Sequence, residues 1–366
     1  MKSRSDIKIF IVGGGEIGRS LAGQLSRDGY ELTLIDRNPD VVKSLSNSFD
    51  IICFEGNGAS YTTLQELSAG KADIWIAVTE SDELNILSCM TAHMMGAKHT
   101  IARIRDVDYA RQNHFYKDKL GLSMIINPEL ATALEIFRLL RFPLATRVET
   151  FARGRAELVQ INVREESPLI GHSLIEMNQD RGINLLICAI VRDGEAFVPK
   201  GNTVISRGDI LYMTGAADEF RKSFKKIKLP VKPLQSVMIA GGGRIAYYLA
   251  EAVLEQGAKV TLIEKNKVMA TELSEAVEGI NVVCDDALAY FDSMSQSDIE
   301  NTDAFITITD NDEYNLVAAM YGESQGISKV ISRIAAKSRL KVLPEGSKIC
   351  TISREDVAAD RILGYS

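Results

Sequence analysis

The chain contains one structural unit twice. Ile9-Phe10-Ile11-Val12 runs into Gly13-Gly14-Gly15-Glu16-Ile17-Gly18, and Val237-Met238-Ile239-Ala240 runs into Gly241-Gly242-Gly243-Arg244-Ile245-Ala246, 228 residues later (Gly13 against Gly241). The same spacing relates Gly29 to Gly257 and Asp36 to Glu264. After each glycine cluster, apolar residues recur every fourth position: Ile17, Leu21 and Leu25 in the first copy, Ile245, Leu249 and Val253 in the second. An unbroken apolar run followed by a helical stripe predicts a buried strand, a tight turn and a helix that packs back on the sheet. That order of elements belongs to a parallel sheet covered on both faces.

The alternation continues through the first copy. Strands are expected over 8–12, 31–35, 51–54, 74–78, 100–104 and 123–127, with helices over 16–28, 39–48, 61–67 and 83–95. Ala72-Asp73-Ile74-Trp75-Ile76-Ala77-Val78-Thr79-Glu80 returns as Thr302-Asp303-Ala304-Phe305-Ile306-Thr307-Ile308-Thr309-Asp310, and Asp82-Glu83-Leu84-Asn85 returns as Asp312-Glu313-Tyr314-Asn315. After Pro128, a helix to Arg141 carries Leu130, Leu134, Ile136, Phe137 and Leu140. Its broad apolar face needs cover from a neighbouring domain or subunit.

Between the copies the style changes to short runs broken by turns. Glu157 to Val163, Leu185 to Val191 and Ile210 to Met213 alternate as strands do, and Asp193-Gly194 is a hairpin signal. Arg221 to Lys226 reads as the solvated face of a closing helix, and Leu229-Pro230-Val231-Lys232-Pro233 as a linker. The expected fold is α/β: two Rossmann-like doubly wound parallel-sheet domains, 1–142 and 237–366, with a small α+β domain at 143–228 and a linker at 229–236. The sequence stops within what corresponds to the helix after Pro128, with no second small module, and reads either as a fragment or as a short natural form.

With 366 residues, 46% hydrophobic and 25% charged, the chain has the balance of a globular protein of two or three domains. No apolar run approaches the roughly 20 residues needed to cross a bilayer, and Met1 to Asp6 lacks the form of a signal peptide, which points to the cytoplasm. A net charge of −7 argues against a nucleic-acid surface. Cys53, Cys89, Cys188, Cys284 and Cys350 form no Cys-x-x-Cys pair and read as reduced core residues. The four histidines lack ligand spacing, so no metal is expected.

In Gly13-x-Gly15-x-x-Gly18 the first glycine permits the turn, the second lets a pyrophosphate approach the backbone, and the third allows close helix-strand packing. The helix N-terminus then offers free N–H groups and a positive dipole end. Asp36 stands where a carboxylate accepts hydrogen bonds from both ribose hydroxyls and repels a 2′-phosphate, which favours NAD or adenosine nucleotides over NADP. Glu16 occupies the position of Arg244. If both point at the phosphates, the first crevice prefers NAD(H) or a diphosphate and the second a triphosphate; otherwise both face solvent. Lys265, Asp285 and Asp286 in place of Arg37, Gly56 and Asn57 separate the two crevices further, and Ala246 replaces the third glycine. No histidine falls at the carboxyl ends of the strands. Those ends carry Gly56-Asn57-Gly58, Thr79-Glu80 and Arg103, which suit hydrogen bonding rather than proton shuttling. Arg103 and Arg333 are either ion-pair partners or ligand contacts. No catalytic residue is expected.

Gly13 to Gly18, Ile35-Asp36-Arg37, Ala77 to Asn85 and Ile101-Ala102-Arg103-Ile104-Arg105 resemble the regulator-of-potassium-conductance (RCK, or KTN) domain. Ser167 to Leu174, Ile190 to Gly194 and Gly208 to Tyr212 resemble that family's small C-terminal ligand-binding domain, and the tandem order resembles that of TrkA-type regulatory subunits. The resemblance implies a cytosolic, non-enzymatic protein on the inner face of the cell membrane. Such a protein forms a homo-oligomeric ring, gates an integral Trk-type potassium transporter, and responds to NAD(H), ATP or ADP. It carries over Gly13, Gly14, Gly15, Glu16, Ile17, Asp36, Gly56, Asn57, Thr79, Glu80 and Arg103 as the first nucleotide site. The second comprises Gly241, Gly242, Gly243, Arg244, Ile245, Glu264, Asp285, Asp286, Thr309, Asp310 and Arg333. The alternatives are an NAD-dependent oxidoreductase and a free-standing sensor of nucleotides or cyclic di-AMP.

Overall fold

The computed structural model describes residues 6–106, 109, 113–142, 145–151, 156–165, 167–179, 183, 185–226, 233–344 and 347–364. Two compact units result: residues 1–132 together with 352–366, and residues 133–351.

In the first unit, β1 (Lys8–Val12), β2 (Glu31–Asp36), β3 (Ile52–Glu55), β4 (Ile74–Ala77), β5 (His99–Arg103) and β6 (Met124–Ile126) form one sheet in the order β3-β2-β1-β4-β5-β6. Every neighbouring pair is parallel. Strand β1 therefore sits where the winding direction reverses, with Val12 opposite both Ile35 and Ala77. This is the point at which an open α/β sheet leaves a crevice beyond its strand ends. The helices α1 (Glu16–Arg27), α2 (Pro39–Ser48), α3 (Tyr61–Glu66) and α4 (Asp82–Met95) are the crossovers, and α5 (Asn113–Leu120) precedes β6. The expected stripe of α1 is buried at Ile17, Leu21 and Leu25. It shares a core cluster with Ala358, Ala359 and Ile362 of the C-terminal helix Arg354–Leu363, a partner the periodicity of α1 does not specify. On the other face of the sheet Trp75 is fully buried and stacks on Phe10 at 5.2 Å.

Helix α6 (Pro128–Arg141) runs from the first unit into the second. Its deeply buried residues are Ala131, Ala133, Ile136, Leu139 and Leu140. Of the five residues expected on its apolar face, Ile136 and Leu140 are buried while Leu130, Leu134 and Phe137 are only half-buried. The buried stripe takes in Ala131 and Ala133 and is therefore rotated from the one the larger side chains suggest.

The second unit holds two sheets. β7 (Ala145–Phe151), β8 (Ala156–Asn162), β9 (Leu186–Arg192), β10 (Glu195–Phe197) and β11 (Ile210–Gly215) form the small module in the order β10-β9-β11-β8-β7, antiparallel throughout. Its elements include α7 (Leu174–Gln179) and α8 (Ala217–Lys226). The Asp193-Gly194 hairpin is present: Arg192 pairs with Glu195 and both turn residues have positive φ, 52° and 83°. Helix α8 buries Phe220 and Phe224 and exposes Lys222, Lys225 and Lys226, the solvated face expected. The linker residues 229–232 lie outside the described residues.

Glu157 is buried (3% exposed), and its Oε2 has no hydrogen-bond partner. Burial raises its pKa, against the pull of Arg141 and Arg138. A carboxyl whose folded pKa is raised supports the fold while protonated and loses that support as pH rises through the shifted value. Glu157→Gln is therefore expected to melt above the parent at pH 8, with the gap closing toward about pH 4. A gap in melting temperature that does not change with pH would refute this.

The third sheet consists of β12 (Ser236–Ala240), β13 (Lys259–Ile263), β14 (Asn281–Val283), β15 (Ala304–Thr307), β16 (Lys329–Arg333) and β17 (Cys350–Ile352), ordered β14-β13-β12-β15-β16-β17. It repeats the order of the first. Its helices are α9 (Arg244–Glu255), α10 (Lys267–Ala276), α11 (Ala287–Ser293), α12 (Gln296–Glu300) and α13 (Asp312–Ser324); α14 is Arg354–Leu363. Inside the second unit, buried Lys329 donates from Nζ to the Ala145 carbonyl at 2.6 Å, which ties β16 to β7. All five cysteines are free. Only Cys89 and Cys350 are buried, whereas Cys284 is exposed, so it is not the core residue its apolar surroundings suggest.

Candidate nucleotide-binding crevices

Each glycine turn ends as its residues dictate. Gly13 and Gly241 have φ of 102° and 108°, a conformation side chains resist, and a Cβ on either would press on the backbone of Thr79 or Thr309. A Cβ at Gly14 would meet Val41, and one at Gly18 would lie 1.8 Å from the Gly13 carbonyl. Gly15 and Gly243 differ: their backbones are extended, and an added Cβ would meet nothing within 4 Å. The missing side chains at these two positions leave open space rather than relieve a clash, as a turn built to admit a ligand requires.

These residues are also the N-caps of α1 and α9, and neither helix has a side-chain cap. Most of the other helices whose starts are described carry a side-chain cap, although Ser60 before α3 makes none. Asn38 serves α2, Ser81 α4, Asn266 α10, Asp286 α11, Asn311 α13 and Ser353 α14. Free N–H groups and the positive dipole end are thus kept at both glycine turns, an arrangement suited to phosphate.

Beside each turn stands its acid. Asp36 Oδ2 accepts from Gly14 N at 2.6 Å and Oδ1 from Asn38 N at 2.8 Å. Glu264 repeats both contacts with Gly242 N at 2.6 Å and Asn266 N at 2.7 Å. The carboxylates are thereby aimed across the end of the second strand. Gly56 N donates to the Asp36 carbonyl at 2.9 Å, while Arg37 and Asn57 are exposed beside it. In the second crevice Lys265 and Asp285 are exposed, and Asp286 is occupied as the cap of α11.

Thr79 and Thr309 close the crevices on the other side, held by residues that motif reasoning did not select. Asn85, fully buried, accepts from Thr79 N and Thr79 Oγ1 at 2.9 and 2.7 Å and donates to the carbonyls of Thr79 and Arg103 at 3.1 and 2.9 Å. Asn315 makes the same four bonds to Thr309 and Arg333. An asparagine repeated at the same position of both copies, on helix faces that also bury Asp82 and Asp312, is the signal that could have flagged them.

The arginines are ion-pair partners. Arg103 is buried and pairs with buried Glu129 at 3.2 Å, where burial depresses its pKa against the attraction of Glu129. Arg333 pairs instead with exposed Asp310 at 3.1 Å. Glu80 is exposed and receives the Arg105 side chain on its carbonyl oxygen. Glu16 does not simply face solvent. Its carboxylate accepts from Arg354 Nη2 at 2.8 Å, an interaction invisible to the repeat because Arg354 lies far along the chain. Arg244 is exposed at the corresponding place. The geometry brings together Gly13 to Gly18, Asp36, Gly56 and Thr79 around one crevice, and Gly241 to Ala246, Glu264 and Thr309 around the other.

Family comparison agrees with this architecture. The TrkA-N domain description matches residues 9–128 and 237–351, and the TrkA-C domain description matches 158–228. The Trk system potassium uptake protein TrkA of Vibrio alginolyticus is 31% identical over 98% of this chain and 79% of its own length. A TrkA homolog from Archaeoglobus fulgidus is 29% identical over 92% of this chain and 76% of its own. Among solved structures, the GsuK channel superposes with a TM-score of 0.73 at 18% identity, covering all of this chain and 64% of that one. GsuK bound to NAD gives 0.71 at 19%. These structural likenesses show the shared fold. Two TrkA-N matches that flank a TrkA-C match, together with identity along nearly the whole sequence, place this chain in the TrkA family of Trk-system potassium uptake proteins.

Proposed function

We propose that this protein is a nucleotide-sensing regulatory subunit that gates a Trk-type potassium transporter, with NAD(H), ADP or ATP held but not consumed in the two crevices. The observation that carries this reading is the pair of uncapped helix N-termini at Gly15 and Gly243, each opening on space beside an acid. GsuK has been solved with NAD and with ADP, which supports a fold able to accept either. No helix among the described residues is long and apolar enough to cross a membrane. We place this chain on the cytoplasmic face of an integral Trk-type partner, as a homo-oligomeric ring. Nucleotide binding gates such an assembly only if the ligand prefers one of two ring conformations, since equal affinity shifts nothing.

The test is calorimetric titration of the whole chain with NADH, ADP and ATP, joined to co-purification with a Trk-type membrane subunit. Saturable binding without NADH turnover, plus recovery of the membrane subunit, is expected. Steady oxidation of NADH with a substrate pool would overturn the regulatory reading in favour of an oxidoreductase.

A further inference from the structure

Glu16 is the first residue of α1, so a ligand phosphate at that helix end would lie beside a carboxylate. The sequence alone makes this a repulsive site for additional phosphates. The structure supplies a cation: Arg354, the first residue of α14, reaches Glu16 at 2.8 Å and is itself only 20% exposed. Its guanidinium is oversubscribed. It also pairs with Glu355 at 2.9 Å and with Glu129 at 3.4 Å. Glu129 in turn is shared with Arg103, and Glu129 Oε2 and Arg103 Nε remain buried without hydrogen-bond partners. Five charged side chains thus meet here, three acids and two arginines. Of these, Glu16 is the exposed member at 64%, the one a ligand can displace without opening the core. In the second crevice the residue at Glu16's position is Arg244, exposed and already positive. The two crevices therefore differ in where positive charge comes from: one carries it on the turn, the other receives it from α14.

We propose that Arg354 is a specificity residue of the first crevice, one that neutralises Glu16 and is taken over by the terminal phosphate of a bound nucleotide, so that α14 senses how many phosphates the ligand carries. This inference rests on the nucleotide-binding reading above. A guanidinium fork paired with the first side chain of α1 suits a terminal phosphate, because charge-assisted bonds of this kind are the strong ones. Handing the guanidinium from Glu16 to the ligand exchanges an exposed acid for a phosphate while the contacts to Glu129 and Glu355 stay in place.

The test uses the full chain with Gly243→Asp, which fills the open position of the second crevice, so that titration with AMP, ADP and ATP reads the first. Arg354→Ala is expected to lower the ATP-to-AMP affinity ratio about tenfold or more, with AMP itself changed about twofold at most. Glu16→Gln, a substitution at an exposed side chain that leaves the fold undisturbed, is expected to raise that ratio, and the double variant to fall between the two. Arg354→Lys separates charge from fork geometry and should retain only part of the discrimination. Equal loss for all three nucleotides in Arg354→Ala would show mere structural support and overturn the proposal, as would an unchanged ratio in Glu16→Gln. If the parent chain binds none of the three nucleotides at either crevice, the nucleotide-sensing reading itself falls, and this inference with it.

Discussion

Gly15→Asp is expected to weaken nucleotide binding at the first crevice by about 100-fold or more while leaving the protein as stable as before, or more stable by about 1 kcal/mol. Gly15 has φ −65° and ψ −167°, a backbone any residue adopts, and its Cβ would meet nothing. Aspartate is a preferred N-cap, so its carboxylate would accept from the free N–H groups at the start of α1 and occupy the place of a phosphate with the same sign of charge. Affinity and stability thus move in opposite directions, an outcome that general damage to the fold cannot produce. Calorimetry and thermal melting on the same sample check it, and unimpaired binding would remove the glycine turn from the site. The neighbouring glycines offer no such test. A side chain at Gly13 is strained at φ 102°, and one at Gly18 collides with the Gly13 carbonyl, so those variants would lose binding and fold together.

Asn85→Ala is expected to cost the first unit about 3 kcal/mol. The side chain is fully buried and makes four hydrogen bonds, so truncation leaves the Thr79 amide without its acceptor and takes a donor from the Thr79 and Arg103 carbonyls, the first of which keeps only a 3.4 Å bond from Arg103 Nη1. Trp75 is the only tryptophan and lies in this unit, which makes its fluorescence a local report of unfolding. Trp75 Nε1 donates to Ser88 Oγ at 3.0 Å, and Ser88 Oγ donates to the Gly58 carbonyl at 2.6 Å, so the reporter is wired to the loop that follows β3. Denaturant unfolding followed by that signal is the measurement, and a cost below about 1 kcal/mol would show that the loop after β4 holds itself. A second consequence is looser nucleotide binding, because Thr79 backs the Gly13 turn.

The elements legible from sequence are those set by neighbours along the chain. Strands β1 and β12, their glycine turns and the stripes of α1 and α9 follow from local periodicity and from the φ that only glycine tolerates, and the repeat made each copy a check on the other. The same logic located the acids Asp36 and Glu264, whose distance from the turn is fixed by one helix and one strand. The rotated buried face of α6 was less legible, because alanines carry little signal of their own. Arg103 and Arg333 occupy matching positions and both donate to the matching threonine carbonyl, yet they take different ionic partners, buried Glu129 in one copy and exposed Asp310 in the other. Repetition in sequence therefore carried the position but not the acid each arginine pairs with.

By itself the sequence determined two parallel-sheet domains, their glycine turns and the acid beside each, since those depend on spacing over a few tens of residues. Tertiary structure alone decided that α14 lies with the first unit against α1, and hence that Glu16 meets a cation at all. The physical reason is that an apolar helix face is drawn to any apolar surface, because the hydrophobic effect has no direction. Spacing along the chain makes residues 354–363 a helix, but which surface it covers, and so which charges its first residue meets, is chosen only when the packed core excludes the alternatives.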